Sequence, residues 1–188
     1  MLFEDPHYVL ISGLFFNTSI DILDFSSTQT AAVTVDLRTT SVQTVAAGMT
    51  VWLRSTLGFV PVPHFDGVIG GGGDDTLTGN DLPNLLLGGP GNDRLVDGGT
   101  GPTASIEYLQ GGDGNDTYEF HTVSASHHVW ILEAVGTGGI DTLDFSAMTG
   151  GGITLAGTVD GAKNLTLSSK SSPIAISGAV GKTTPLAS

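Results

Sequence analysis

The stretch GGGGDDTLTGNDLPNLLLGGPGNDRLV, residues 70–96, contains too much glycine for a helix, yet a leucine returns at every ninth residue. Each nine-residue unit begins with glycine. Asp97 interrupts the series, and two more units follow it. The first of these two has four inserted residues, 103–106. The five units begin at residues 70, 79, 88, 98 and 111. Three of them match the pattern GGxGxDxUx, in which U is a large apolar residue. A fixed period of this kind predicts a repeat architecture.

The residue types in each unit predict a metal-binding turn followed by a short strand. Glycine at positions one, two and four permits positive φ angles and lets neighbouring turns approach closely. Main-chain carbonyls then point into the gap between turns, where the aspartate at position six adds a carboxylate. Such a set of oxygens suits calcium, whereas zinc and copper prefer the histidine and cysteine that the repeat lacks. The predicted calcium-binding residues are Gly70, Gly71, Gly73, Asp75, Gly88, Gly89, Gly91, Asp93, Gly111, Gly112, Gly114 and Asp116.

The large residue at position eight is predicted to point inward, and it forms the row Leu77, Leu86, Leu95, Leu109 and Tyr118. Burying one such side chain stabilises the fold by roughly 1.5–3 kcal/mol. Ordering the backbone costs about 1–2 kcal/mol for every residue of the unit. Because this core alone does not offset the lost entropy, folding of the segment is expected to be coupled to calcium binding.

Over residues 66–120 the chain resembles the RTX (repeats-in-toxin) family, whose calcium-binding nonapeptide has the same pattern. The resemblance implies a parallel β-roll in which two nonapeptides make one turn, so that successive loops alternate between two edges. The three intact loops, 70–75, 88–93 and 111–116, then share one edge. The two degenerate ones share the other.

The register that the resemblance implies assigns the metal sites. One calcium ion is expected to bridge Asp75 and Asp93, and a second to bridge Asp93 and Asp116. The opposite edge has Asn84 and Glu107 at position six. Whether these two residues contribute a further calcium site stays open.

A second, larger repeat lies outside the nonapeptides. IDILDFS at residues 20–26 and IDTLDFS at residues 140–146 agree at six of seven positions and are 120 residues apart. The match extends upstream and downstream without gaps, from His7 with His127 to Val35 with Leu155. The predicted fold class is therefore all-β, a parallel β-roll or β-solenoid flanked by β-rich modules. The predicted domains are a first module over 1–65, the calcium-binding β-roll over 66–120 and a second module over 121–188.

Composition excludes several classes of function. Nineteen acidic residues against six basic ones give a net charge of −13, which argues against nucleic acid and anionic membranes and favours cations as partners. Ten of the acids lie between Asp66 and Glu119, where Arg94 is the only basic residue. There is no cysteine, no apolar run long enough to cross a membrane and no recognisable secretory signal. A nucleophile elbow, G-x-S-x-G, is also missing, so we expect no catalysis.

Some residues outside the repeat have simpler explanations. Trp52 and Trp130 are interpreted as core or interface aromatics. The acids of the IDxLDFS motifs are expected to be polar residues at strand edges, and the histidines His7, His127 and His128 surface or packing residues. The acids concerned are Asp21, Asp24, Asp141 and Asp144.

These observations predict a calcium-binding structural β-solenoid outside the cell, a building block of a surface layer, an adhesin or a self-assembling filament. The 120-residue period suggests end-to-end self-association, because a solenoid cut within a unit exposes strand edges. The alternative is a non-catalytic carboxy-terminal folding and secretion module of a larger RTX enzyme or toxin. The resemblance also implies a bacterial protein, extracellular or on the cell surface, that is exported by type I secretion without membrane insertion.

Overall fold

The computed structural model describes residues 21–53, 65–98, 105–121, 127–132, 139–148, 153–155, 167–168 and 174–176. The strands are β1 (Ile22–Asp24), β2 (Thr34–Asp36), β3 (Val42–Ala46), β4 (Met49–Trp52), β5 (Gly67–Ile69), β6 (Thr76–Thr78), β7 (Leu85–Pro90), β8 (Arg94–Val96), β9 (Ser105–Asp113), β10 (Thr117–Glu119), β11 (His127–Ile131), β12 (Thr142–Asp144), β13 (Ile153–Leu155), β14 (Leu167–Ser168) and β15 (Ile174–Ile176). None of the described residues is helical, so the chain is all-β, as the sequence predicts. The same residues include no helix that could cross a bilayer.

Two parallel sheets contain most of the strands. The first has the order β1-β5-β7-β9-β11 and the second the order β14-β12-β10-β8-β6-β2. From β5 to β12 consecutive strands alternate between the sheets, so each pairs with the strand two places along the chain. Two smaller pairs complete the described part of the chain, the parallel pair β13 with β15 and the antiparallel hairpin of β3 and β4.

The side chains at position eight form the core between the two sheets, which confirms the predicted inward row. In the second sheet Leu95 pairs with Leu77 on one side and with Tyr118 on the other. In the first sheet Leu86 pairs with Leu109. All five are 0% exposed and belong to one apolar cluster. Each nonapeptide unit therefore contributes one large side chain to this part of the core.

The core widens beyond the nonapeptides. On the amino-terminal side Phe25, Val45 and Leu53 are buried in the same cluster, so the hairpin packs against it. On the other side Phe120 stacks on Phe145, with ring centroids 4.6 Å apart. Larger apolar side chains thus supply burial where the loops no longer follow the nonapeptide pattern.

The two IDxLDFS motifs lie in different sheets. Leu23 of the first motif lies in β1 of the first sheet, whereas Leu143 of the second lies in β12 of the second sheet. Either sheet accepts the motif because both bury the residue at position eight. Both sheets also continue across the expected boundary at residues 65 and 66, since β1 pairs with β5 and β2 with β6. His7 lies outside the described residues.

Candidate metal centre

Between β5 and β12, four successive connections carry the chain from the first sheet to the second. They contain residues 70–75, 88–93, 111–116 and, for the described part of the fourth, 139–141. Because the strands on both sides are paired in register, these connections stack along one edge of the molecule.

Aspartates at position six form a ladder along this edge. The Asp75 N–H donates to Asp93 Oδ1 at 2.8 Å, and the Asp93 N–H donates to Asp116 Oδ1 at 2.8 Å. The same contact follows between the Asp116 N–H and Asp141 Oδ1, at 3.0 Å. At the other end the Val33 N–H donates to Asp75 Oδ1 at 2.7 Å. We call Asp75, Asp93, Asp116 and Asp141 the aspartate ladder.

Three members of the ladder are buried, since Asp75, Asp93 and Asp116 are each 1% exposed. Asp75 Oδ2 accepts the Gly71 N–H at 2.6 Å. By contrast, Asp93 Oδ2 and Asp116 Oδ2 have no hydrogen-bond partner among the described residues. A buried carboxylate oxygen without a partner is costly unless a cation or donor compensates it.

The electrostatics of the ladder are those of anions held close together. Burial raises the pKa of Asp93 to about 7, and the charges of Asp75 and Asp116 contribute to the rise. Burial also raises the pKa of Asp75 and of Asp116 above the ordinary range. A cation in this region would remove both the desolvation cost and the mutual repulsion.

Glycine is required at position one because neighbouring oxygen atoms leave no room for a side chain. A Cβ built on Gly88 would lie under 3.0 Å from Asp93 Oδ2 and 2.7 Å from Gly111 O. A Cβ on Gly70 would likewise lie under 3.0 Å from Asp75 Oδ2 and from Gly88 O. At both glycines a carboxylate oxygen of the loop and a carbonyl oxygen of the following loop therefore converge on one small space.

Carbonyl oxygens at positions two and four also face the following loop. Each lies so near the glycine of the next loop that a Cβ there would come under 3.0 Å from it. The pairs are Gly71 O with Gly89, Gly73 O with Gly91, Gly89 O with Gly112 and Gly91 O with Gly114. The gaps between stacked loops are thus lined by carbonyl oxygens together with the aspartate ladder.

Positive φ explains only some of the repeat glycines. At positions two and four of the second and third loops φ lies between 113° at Gly89 and 140° at Gly91, as predicted. The prediction is wrong at position one, where none of the three glycines has positive φ. It is also wrong at positions two and four of the first loop. There Gly71 and Gly73 are needed because residues 28–32 pass against them.

On the opposite edge, the residues at position six are joined by the same kind of contact, but they are asparagine and glutamate instead of aspartate. The Asn84 N–H donates to Glu107 Oε2 at 3.1 Å, so these residues hold the expected position six. Asn84 Oδ1 accepts the Asn80 N–H at 2.6 Å. The two amide groups donate to Phe65 O, from Asn80 Nδ2 at 2.9 Å and from Asn84 Nδ2 at 3.4 Å. Around Asn84, side-chain amides therefore supply hydrogen-bond donors to a carbonyl oxygen, which an ionised carboxylate in the same position could not do.

The two tryptophans are not core residues. Trp52 is 55% exposed and Trp130 is 57% exposed, so the interpretation as core aromatics is wrong. The interpretation as interface aromatics stays a prediction. Trp130 stacks on Tyr108 of the neighbouring strand, with ring centroids 6.3 Å apart. Its exposure follows from its position on β11, where Ile131 instead packs against the core.

Sequence reasoning missed the place of Asp141. We expected a polar residue at a strand edge, and the structure puts it in the aspartate ladder. The signal was present in the sequence, because GTGGIDTLD at residues 136–144 matches the nonapeptide at positions one, four, six and eight. The stronger likeness of this stretch to IDILDFS concealed that match.

A metal in these gaps would be held mainly by the main chain. No cluster of three or more His, Cys, Asp or Glu side chains suited to a metal occurs in the part of the chain that the structure describes. Each gap offers two ladder carboxylates and several carbonyl oxygens instead. No protein-family model matches the chain, and no curated protein matches it either.

Proposed function

We propose that the protein is a calcium-binding β-roll of the RTX type with a structural, non-enzymatic role outside the cell. One observation carries the proposal. Asp93 Oδ2 and Asp116 Oδ2 are buried carboxylate oxygens without a hydrogen-bond partner among the described residues, in gaps lined by carbonyl oxygens. Such oxygens are explained if a cation binds beside them.

The donor set fits calcium better than other biological metals. Between Asp75 and Asp93 the available oxygens include the two carboxylates and the carbonyls of Gly71, Gly73 and Gly88. Calcium accepts six to eight such oxygens in flexible geometry, whereas magnesium requires a strict octahedron and retains water. Among the described residues, no imidazole or thiolate, which zinc and copper prefer, lines the gaps. The next gap repeats the arrangement with Asp93 and Asp116.

Charge makes the metal part of the folding reaction. Three buried carboxylates with raised pKa values oppose folding of the calcium-free chain when they are ionised. Two divalent ions would compensate them, and the narrow core by itself leaves folding marginal. Calcium binding and ordering of the stacked loops are therefore expected to occur together.

The alternation of consecutive strands between two parallel sheets supports the β-roll. In a roll with two strands per coil, every second loop lies at the same edge, and the aspartate ladder needs that spacing. The buried row at position eight also supports it, because a roll places one large side chain per unit inside.

The calcium affinity expected of such sites indicates where the protein works. Extracellular calcium modules bind at roughly 10⁻⁴ to 10⁻³ M, so such sites fill outside a cell and empty within it. We infer an extracellular or surface role, and type I export follows from the RTX resemblance. The recurrence of IDxLDFS after 120 residues supports a repeated building block that associates end to end in a surface layer, adhesin or filament.

Circular dichroism of the whole chain tests the central claim. Strand signal should increase as calcium is added, with half the change at roughly 10⁻⁴ to 10⁻³ M. A chelator should reverse the change, and magnesium at the same concentration should cause little change in the strand signal. A strand signal that neither calcium nor chelator alters, in a chain that binds no calcium by equilibrium dialysis, would contradict the proposal.

A further inference from the structure

The stack of loops continues one step beyond the nonapeptides. The Asp116 N–H donates to Asp141 Oδ1 at 3.0 Å, which repeats the contact that joins Asp75 to Asp93. The Gly139 N–H donates to Gly114 O at 2.5 Å. Thr117 pairs with Thr142 at the start of the adjoining strands. Residues 139–141 therefore stand where the next intact loop of the repeat would stand.

The two oxygens of each ladder carboxylate have different directions. Oδ1 of Asp93 faces the preceding loop, because it accepts the Asp75 N–H. Oδ2 of Asp93 faces the following loop, because it and Gly111 O flank the same point beside Gly88. Asp75 shows the same arrangement with Gly88 O beside Gly70.

Asp116 follows this rule. Its Oδ1 accepts the Asp93 N–H, and its Oδ2 lies beside Gly111, as Asp93 Oδ2 lies beside Gly88. By the same rule, Asp116 Oδ2 is expected on the side of the following connection, whose described part is 139–141. It belongs to a residue that is 1% exposed, and it has no hydrogen-bond partner among the described residues.

We propose a third calcium site between Asp116 and Asp141, with Asp116 Oδ2, the Asp141 carboxylate and Gly114 O among its ligands. This inference rests on the proposed function, since it extends the same kind of site. It assigns a metal-binding role to Asp141, which lies outside the intact nonapeptides. A metal there would tie β12 to the repeat block, so that ordering by calcium reaches beyond Phe120.

The ladder does not extend in the other direction. Position six of the preceding connection is Val33, which has no carboxylate. Asp75 Oδ1, which faces that connection, accepts the Val33 N–H at 2.7 Å. The proposal therefore gives three ions per chain, in the gaps 75/93, 93/116 and 116/141.

Calorimetric titration of the whole chain with calcium tests the third site. The wild type should bind three ions and Asp141→Asn two. The matched control, Asp144→Asn, removes the same charge three residues along, where Asp144 Oδ1 accepts the Ser146 N–H at 2.7 Å instead of joining the aspartate ladder. It should retain three. A wild type that binds two ions, with Asp141→Asn also binding two, overturns the third site alone; a wild type that binds none overturns the proposed function itself.

Hydrogen exchange of the wild type tests the same site without a mutation, in case Asp141→Asn fails to fold. Calcium should slow exchange of the amides at 139–144 together with those at 88–96. Protection that is confined to 88–96 would refute the third site and leave the other two in place.

Discussion

Replacing Asp93 with asparagine is expected to have opposite effects on the calcium-free and the calcium-bound chain. Asparagine retains Oδ1 as acceptor for the Asp75 N–H and replaces Oδ2 with a donor near Gly111 O. The chain contains a precedent, because Asn84 at the same position of the opposite edge accepts one N–H and donates to a carbonyl. The substitution should therefore fit without a cation.

The magnitude follows from the pKa of Asp93, which is raised from its ordinary value of 3.8 to about 7. A raised pKa means that the folded chain holds the proton more tightly than the unfolded chain. Its stabilising contribution is therefore fully present below pH 3.8 and is lost as the pH rises through about 7. At about 1.4 kcal/mol per pKa unit, the ionised carboxylate costs about 4 kcal/mol at pH 8. Asp93→Asn should recover most of that free energy in the calcium-free chain.

In saturating calcium the same variant should be less stable than the wild type, because Asp93 belongs to two of the three proposed sites. The assay is urea unfolding at pH 8, followed by circular dichroism, with chelator and with saturating calcium. With chelator, Asp93→Asn should raise the unfolding midpoint, or produce strand signal where the wild type has little. With calcium, the wild type should be stabilised and the variant should respond weakly.

A matched control is Asp113→Asn, which removes an exposed aspartate of the same stack. It should leave the response to calcium intact. The reasoning is refuted if Asp93→Asn lowers the free energy of unfolding in chelator while its stabilisation by calcium equals that of the wild type.

Two further predictions concern pH and close approach. In chelator, the free energy of unfolding should fall as the pH rises from 4 to 8, because burial raises the pKa of Asp93 to about 7 and also raises the pKa of Asp75 and of Asp116. Urea midpoints that rise over this range would disprove the sign. Gly88→Ala should weaken calcium binding and destabilise the fold, because its Cβ would lie 2.7 Å from Gly111 O and closer still to Asp93 Oδ2. Gly48→Ala is the comparison, since no atom lies within 4 Å and only its φ of 75° is strained, at about 1–2 kcal/mol; equal losses of calcium affinity would argue against the crowded gap.

Periodic features of the chain could be predicted from sequence. The nine-residue period places one large side chain in each unit, and all five of these side chains are buried in the structure. The prediction works because side chains alternate along a strand, so that among positions seven to nine only the middle one points inward. The all-β class follows for the same reason, since glycine-rich turns and short strands leave no segment long enough for an amphipathic helix.

The neighbours of each residue across the stack were decided by the tertiary structure. Asp141 and Asp21 hold equivalent positions in nearly identical motifs, yet only Asp141 contacts Asp116, because the second motif enters the other sheet. The exposure of Trp130 depends likewise on which face of β11 it occupies. A linear pattern specifies what each nine-residue unit contains. Contacts between units depend on which strands pair, and that is decided by how many strands separate the units along the chain.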